Sequence, residues 1–275
     1  MLPEDGAALS TATPAVGLRL PPVGPQCSGI PAFSQGTTPR DQLVKDLYKQ
    51  VMKHYVVHIR GTPMTGKTTL SRLLKAYARR HHPQTTTVRF EWRLDGDGGR
   101  HSARYEDFIC QKSKGSITPW DFNGPSKPIL IIVDDAHLSY TDHGFWNGLV
   151  KCQATDARTS NLHIVLFSSW GSASDEVLNI PECGPILLSA AQRMELTPQY
   201  GWPHSLALFF DFSDVEDVGR RMLQLQYSDS KLGNDVVEYI HRVSNGHAGL
   251  TVALFKSLLY HPVYSPTKTP YNPNG

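Results

Sequence analysis

The 275-residue sequence lacks several features that would each have pointed to a class of protein. It has no apolar run approaching the ~18 residues needed to cross a bilayer, so no membrane span is expected. It has almost no net charge: 27 basic against 25 acidic residues leave +2. That balance argues against a strongly basic nucleic-acid binder and against an acidic solvating tail, while leaving room for a local basic patch. Its four cysteines, Cys27, Cys110, Cys152 and Cys183, are widely spaced and form no CxxC pair. They read as reduced thiols, not as a zinc site or a disulfide framework. No Ser/His/Asp grouping, no metal-type histidine cluster and no internal repeat stands out. The first residues, Met1 to Val16, include acids and no long apolar core, which speaks against a secretory signal. These absences together suggest an intracellular protein, cytoplasmic or nuclear, with no membrane partner.

What the sequence does contain is ordered by position. Residues 1–39 hold seven of the twenty prolines and five glycines, the composition of a disordered arm. From Arg40 the pattern turns periodic. Leu43, Val44, Leu47, Tyr48 and Val51 predict an amphipathic helix to about His54. Tyr55–Ile59 reads as a strand, 67–80 as a helix with Leu70, Leu73, Leu74 and Tyr77 on its inner face, and 85–92 as a second strand. Residues 93–127 are Gly-, Asp- and Ser-rich, with a short helix near Tyr105–Cys110. The continuous apolar runs Ile129–Val133 and Leu162–Phe167 fit strands buried on both faces, and a fifth strand is expected within 186–196.

Strands alternating with helices predict a three-layer α/β domain with a mainly parallel central sheet over 40–205. A helical subdomain is predicted over 206–261, with a capping box at Ser213 and Glu216 opening its first helix. Its other helices span 234–243 and 250–260, the last stopped by Pro262. A flexible tail is expected over 262–275.

The chemistry centres on Gly61-Thr62-Pro63-Met64-Thr65-Gly66-Lys67-Thr68, which fits the GxxxxGK[ST] pattern of a phosphate-binding loop and runs on into Thr69. Glycines let the backbone curl so that successive N–H groups face a phosphate, and the following helix adds its positive end. Lys67 is placed to reach the β- and γ-phosphates and the Thr68 hydroxyl to bind Mg²⁺. By chance the four specified positions arise in roughly one chain per hundred of this length. A strand before the loop and a helix after it make accident rarer still.

The run Ile129–Val133 ends in Asp134-Asp135, which gives a second carboxylate source. Asp134 is the candidate metal ligand and Asp135 the candidate base. Acids also end strands simply where the chain meets water. Ser168 or Ser169, at the end of the next strand, could face a γ-phosphate, although serine there is also ordinary turn chemistry. Arg193 is the arginine placed to read a γ-phosphate, and it reads equally well as a solvated surface residue. Arg79-Arg80 and Arg220-Arg221 read as solvated helix faces, and Trp146 and Trp170 as core or pocket walls.

The string Ile132-Val133-Asp134-Asp135-Ala136-His137-Leu138-Ser139-Tyr140-Thr141-Asp142, followed by Phe145-Trp146-Asn147 and Lys151, resembles the second nucleotide motif of the Crinkler effector and retrotransposon-hot-spot-type P-loop ATPases. Ile59-Arg60-Gly61, Phe167-Ser168-Ser169-Trp170-Gly171, Gln192-Arg193 and Asn245-Gly246-His247-Ala248-Gly249-Leu250 add to the similarity, which covers roughly residues 40–260.

The resemblance implies an ATPase of the additional-strand class, related to signalling NTPases, with a helical lid. Lys67 and Thr68 would be nucleotide and metal ligands and Asp134 the metal carboxylate. Asp135 would be the base, Ser168 or Ser169 the sensor, and Arg193 a γ-phosphate contact. Three departures matter. Asp135 replaces the family's glutamate, which retracts the carboxylate by about 1.5 Å, and near-attack geometry is sensitive to about an ångström. Ala248 stands where the family's turn has proline. Relatives often continue into a nuclease-like domain, so a short or truncated relative is expected.

The reading is therefore Mg²⁺-dependent binding and hydrolysis of ATP, with ATP and Mg²⁺ as cofactors and with room for a homo-oligomer or a protein partner. The alternative is a nucleotide-gated switch with little turnover. A small-molecule kinase would need an acceptor pocket that 93–127 does not show.

Overall fold

A computed structural model describes residues 37–92, 104–123, 127–140, 142–155, 161–169, 188–198, 203, 206–227 and 231–261. The arm up to residue 36, the tail from Pro262, Cys27, Cys183, Thr141 and Trp170-Gly171 lie outside the described residues. Five parallel strands form one sheet: β1 (Val56–Gly61), β2 (Thr86–Glu91), β3 (Ile129–Asp134), β4 (Leu162–Ser169) and β5 (Arg193–Met194), in the order β2-β3-β4-β1-β5. The helices on its flanks are α1 (Asp41–His54), α2 (Lys67–His81), α3 (Tyr105–Lys112) and α4 (Lys151–Ala154), the last continuing a π-helical turn at Gly144–Val150. This is a three-layer α/β fold with a parallel central sheet, and parallel pairing requires such crossovers.

The apolar runs are buried because both faces of the sheet are covered. Val57, Ile59, Leu130, Ile132, Val165 and Phe167 pack under α1 and α2. Alternate residues, including Val56, Ile131, Val133, Ile164 and Leu166, pack with α3 and the 144–154 segment. In that second layer the Trp92 ring packs at a tilt against Phe108 (4.8 Å between centroids) and Phe145 (4.7 Å). Each such aliphatic chain removed from water contributes about 1.5–3 kcal/mol.

Three more helices follow: α5 (Phe212–Gln226), α6 (Asn234–Ser244) and α7 (Ala248–Leu259). They have a small core of their own, Val215, Val218, Val237, Ile240 and Phe255. The capping box is not at Ser213 and Glu216. Asp211 is the N-cap, its carboxylate accepting from the Asp214 amide at 2.8 Å while Asp214 accepts from the Asp211 amide at 3.4 Å. The D-x-x-D pattern that begins two residues upstream thus wins over the S-x-x-E pattern. α7 starts at Ala248, two residues before the expected Leu250, because the His247 ring caps it by accepting from the Leu250 amide at 3.2 Å.

The expected strand at 186–196 is only two residues long, pairing Arg193 with His58 and Met194 with Ile59. No described helix is long and apolar enough to cross a membrane. Cys110 and Cys152 are free thiols.

Candidate functional site

β1 ends at Gly61 and α2 begins at Lys67, so the glycine-rich segment spans the C-terminal edge of the sheet. Gly66 precedes α2 with φ +87°, a conformation that a side chain would strain. Thr65 Oγ1 donates to the Thr62 carbonyl at 2.8 Å and fixes the curl. The Lys67 ammonium donates to the carbonyls of Gly61 (2.9 Å) and Thr62 (2.8 Å). Burial lowers the Lys67 pKa, and the nearby charges of Asp134 and Asp135 oppose that shift. A partly dehydrated cation beside the N-terminal end of a 15-residue helix is a setting that favours an anion.

A cavity of about 510 Å³ opens over this loop. Pro63, Met64, Thr65, Gly66, Lys67, Thr68 and Thr69 form one side of it. Asp135 and Ser169 face the same space from the ends of β3 and β4. The opposite wall is mostly apolar: Phe210, Val218, Ala248, Gly249 and Val252, with Thr37, Thr38 and Arg40 beside it. Thr37 and Thr38 belong to the segment expected to be an arm, yet Thr38 is buried. A polar floor under an apolar wall suits a ligand with a charged end and a flat, less polar end.

Of the residues singled out in the sequence, Gly61 and Thr62 lie at the root of the loop, while Pro63 to Thr69, Asp135 and either-serine candidate Ser169 come together at the cavity. Ser168 is fully buried on the other face of β4, bonded to the His58 ring at 2.9 Å. Strand alternation explains the split: Ser169 shares the α2-side face with Val165 and Phe167, and Ser168 does not. Arg193 is exposed on the edge strand opposite His58, three residues short of the end of β1, and outside the cavity lining.

Asp134 also lies behind the cavity. It is 1 % exposed, and Arg89 on β2 donates to its Oδ2 at 2.6 Å. Ser71 Oγ lies 3.2 Å from the same oxygen, and the Asp135 amide donates to Oδ1 at 3.2 Å. Asp135 follows with φ 53°, which turns its side chain out of the strand register toward the cavity.

The expected magnesium site needs the Thr68 hydroxyl and an available Asp134 carboxylate. Thr68 is at the cavity, but both Asp134 oxygens are engaged by protein donors, one of them cationic. The pair does not fit a metal centre as it stands. Among the described residues no cluster of three or more His, Cys, Asp or Glu could hold a metal ion.

Sequence reasoning missed Arg89 and Arg40. A strand arginine carries no motif, and its partner was visible only once β2 was registered against β3, Arg89 opposite Ile132 and Glu91 opposite Asp134. Arg40 donates to the carbonyls of Ala207 (3.0 Å), Leu208 (2.9 Å) and Phe209 (3.0 Å). It also pairs with Asp214 at 3.0 Å and lies over the Phe210 ring. It ties the start of α1 to the segment that leads into α5. The apolar wall was signalled only by the turn at Gly246–Gly249. There the Gly249 amide donates to the Met64 carbonyl at 2.9 Å, and a side chain at Gly249 would meet Met64 Cβ at 2.6 Å.

No family model matches the chain, and no curated protein is similar to it. Among solved structures it is similar to a Walker-type ATPase of Pyrococcus abyssi, at 14% identity over 80% of this chain and 67% of that one, TM-score 0.47. A RuvB variant of Thermotoga maritima is similar at 13% identity over 79% and 61%, TM-score 0.40. Domain III of the Thermotoga maritima replication initiation protein DnaA is similar at 15% identity over 84% and 90%, TM-score 0.43. The chain thus spans 61% of the RuvB chain's length, and the likeness is one of fold alone.

Proposed function

We propose that this chain binds a nucleoside triphosphate, ATP in the first instance, and transmits its occupancy to the α5–α7 helices as a switch with slow turnover. One observation carries the reading. The phosphate-type loop and the first turn of α7 are the two sides of one cavity, joined by the Gly249–Met64 hydrogen bond. A triphosphate on the loop amides and Lys67 would have to form its contacts against a segment already bonded to the helices. Lys67 would exchange its bonds to Gly61 and Thr62 for phosphate oxygens, the amides of residues 64–68 would hold the β-phosphate, and the apolar wall would take the base.

Slow turnover follows from Asp135, a methylene shorter than the family's glutamate, and from Asp134, which is held by Arg89. The strand order, with β4 between the loop strand and the acidic strand, supports the additional-strand reading, a class far broader than the Crinkler-type proteins. The α5–α7 unit would act as the lid, with a protein partner or a second copy reading its position.

Hydrolysis is the second reading, favoured by one observation. Asp135 and Ser169 share the cavity with Lys67, so a base and a polar sensor face the place where a γ-phosphate would lie.

The test is nucleotide binding and phosphate release by the purified chain and by Lys67→Ala. Binding that needs Lys67, with little release, supports the switch. Lys67-dependent release at a rate typical of enzymes, above about 1 s⁻¹, supports hydrolysis instead. Binding indifferent to Lys67→Ala overturns both.

A further inference from the structure

We propose that Arg89 takes the charge position beside Asp134 that a divalent cation would need, so that nucleotide binds this loop nearly independently of divalent cations and Arg89 sets that independence. The inference rests on the nucleotide reading above and names a residue which that reading does not use.

Arg89 and Glu91 are alternate residues on β2 and point to the α2 side of the sheet, where Glu91 pairs in register with Asp134. The Arg89 guanidinium fills the gap between the sheet and α2. Its Nε donates to Ser71 Oγ at 2.8 Å, and one terminal nitrogen reaches Asp134 at 2.6 Å and Glu91 at 3.4 Å. Ser71 lies one helical turn past Lys67, so Asp134 meets α2 at Ser71, deeper than the Thr68 hydroxyl at the cavity. The Arg89 and Asp134 side chains are 13% and 2% exposed, so water screens the pair little.

A short charge-assisted bond of this kind is strong, and breaking it would strand a buried guanidinium. A divalent cation recruited to Asp134 would share one carboxylate with that guanidinium, and the two cations would repel. The cation can then be held only by Thr68, phosphate oxygens and water, and the protein gains little from its presence. Arg89 thus neutralises the Asp134 carboxylate permanently, as a divalent cation bound there would have done.

The experiment titrates a fluorescent ATP analogue into the full chain in excess Mg²⁺ and again in excess EDTA. It compares the wild type with Arg89→Gln, Arg89→Lys and the double variant Arg89→Gln/Asp134→Asn, with circular dichroism to confirm folding. For the wild type and Arg89→Lys, the two dissociation constants should agree within about threefold. Arg89→Gln releases Asp134, and its affinity in Mg²⁺ should exceed that in EDTA by about tenfold or more, a gain that the double variant abolishes.

A wild type that loses about tenfold or more in EDTA, or an Arg89→Gln that remains indifferent to Mg²⁺, overturns the proposal while leaving nucleotide binding intact. Absence of binding in both conditions, or binding unaffected by Lys67→Ala, overturns the nucleotide reading and this inference with it. Arg89→Lys separates loss of charge from loss of fold.

Discussion

Ser168 and Ser169 are neighbours on one strand, and a period of two sends their side chains to opposite faces. Ser168 closes a dry polar contact with His58, which is buried beside Trp146. Burial, and then the nearby charge of Arg60, push the His58 pKa down to about 3. The folded chain therefore keeps this ring neutral, while an unfolded chain protonates it below about pH 6.5. The stabilisation is fully present above that pH and is lost progressively as pH falls toward 3, on the order of a few kcal/mol. Urea titrations across that range should show the decline, with a flatter profile for His58→Gln. Its persistence in His58→Gln would assign the acid sensitivity to other groups.

Asp135 gives a second residue-scale prediction. Asp135→Glu should raise phosphate release by about tenfold or more if carboxylate reach limits turnover, with nucleotide affinity little changed. The choice between the serines was not legible in the sequence, because the run Leu162–Phe167 is apolar on both faces and shows no alternation to fix its parity.

Elements were more legible than residues. β3 and β4 stand out as apolar runs because helices cover both faces, and α1 and α2 show their buried stripes directly in Leu43, Leu47 and Val51, and in Leu70 and Leu74. The signal failed where two local solutions competed. At the start of α5 both D-x-x-D and S-x-x-E patterns are available, and the chain uses the first, with Ser213 Oγ donating to Asp211 at 2.7 Å as a support. Asp211→Ala should cost about 1 kcal/mol of stability by denaturant titration, and Ser213→Ala clearly less. Equal costs would mean that the hydroxyl, not the carboxylate, carries the cap. The short β5 was hard to place because two residues of pairing leave almost no periodic trace.

At the scale of the whole molecule, the sheet and the α5–α7 unit are tied by Arg40, which no motif announces, and by the Gly249–Met64 contact, which joins the phosphate-type loop to the Gly246–Gly249 turn. Arg40→Ala would strand three carbonyls and leave Asp214, whose pKa burial already raises against the pull of Arg40, without its cation. A loss of about 3–5 kcal/mol is expected, read as a lower urea midpoint. Gly249→Val should act differently, because its side chain would collide with Met64 while the sheet core stays intact. Nucleotide affinity should fall and protease cleavage around α7 should rise, with far-ultraviolet circular dichroism preserved. Unchanged affinity would show that the contact does not bear on the site.

The bond between the Gly249 amide and the Met64 carbonyl couples the conformation of the loop to the position of α7, by about 1 kcal/mol. A coupling free energy of that kind is reciprocal. If the chain is the nucleotide switch proposed above, a macromolecule that draws α7 away from the loop weakens nucleotide by the same factor with which nucleotide weakens its own grip. In such a switch an exchange factor and an effector would be the same sort of ligand, differing only in which position of α7 they prefer.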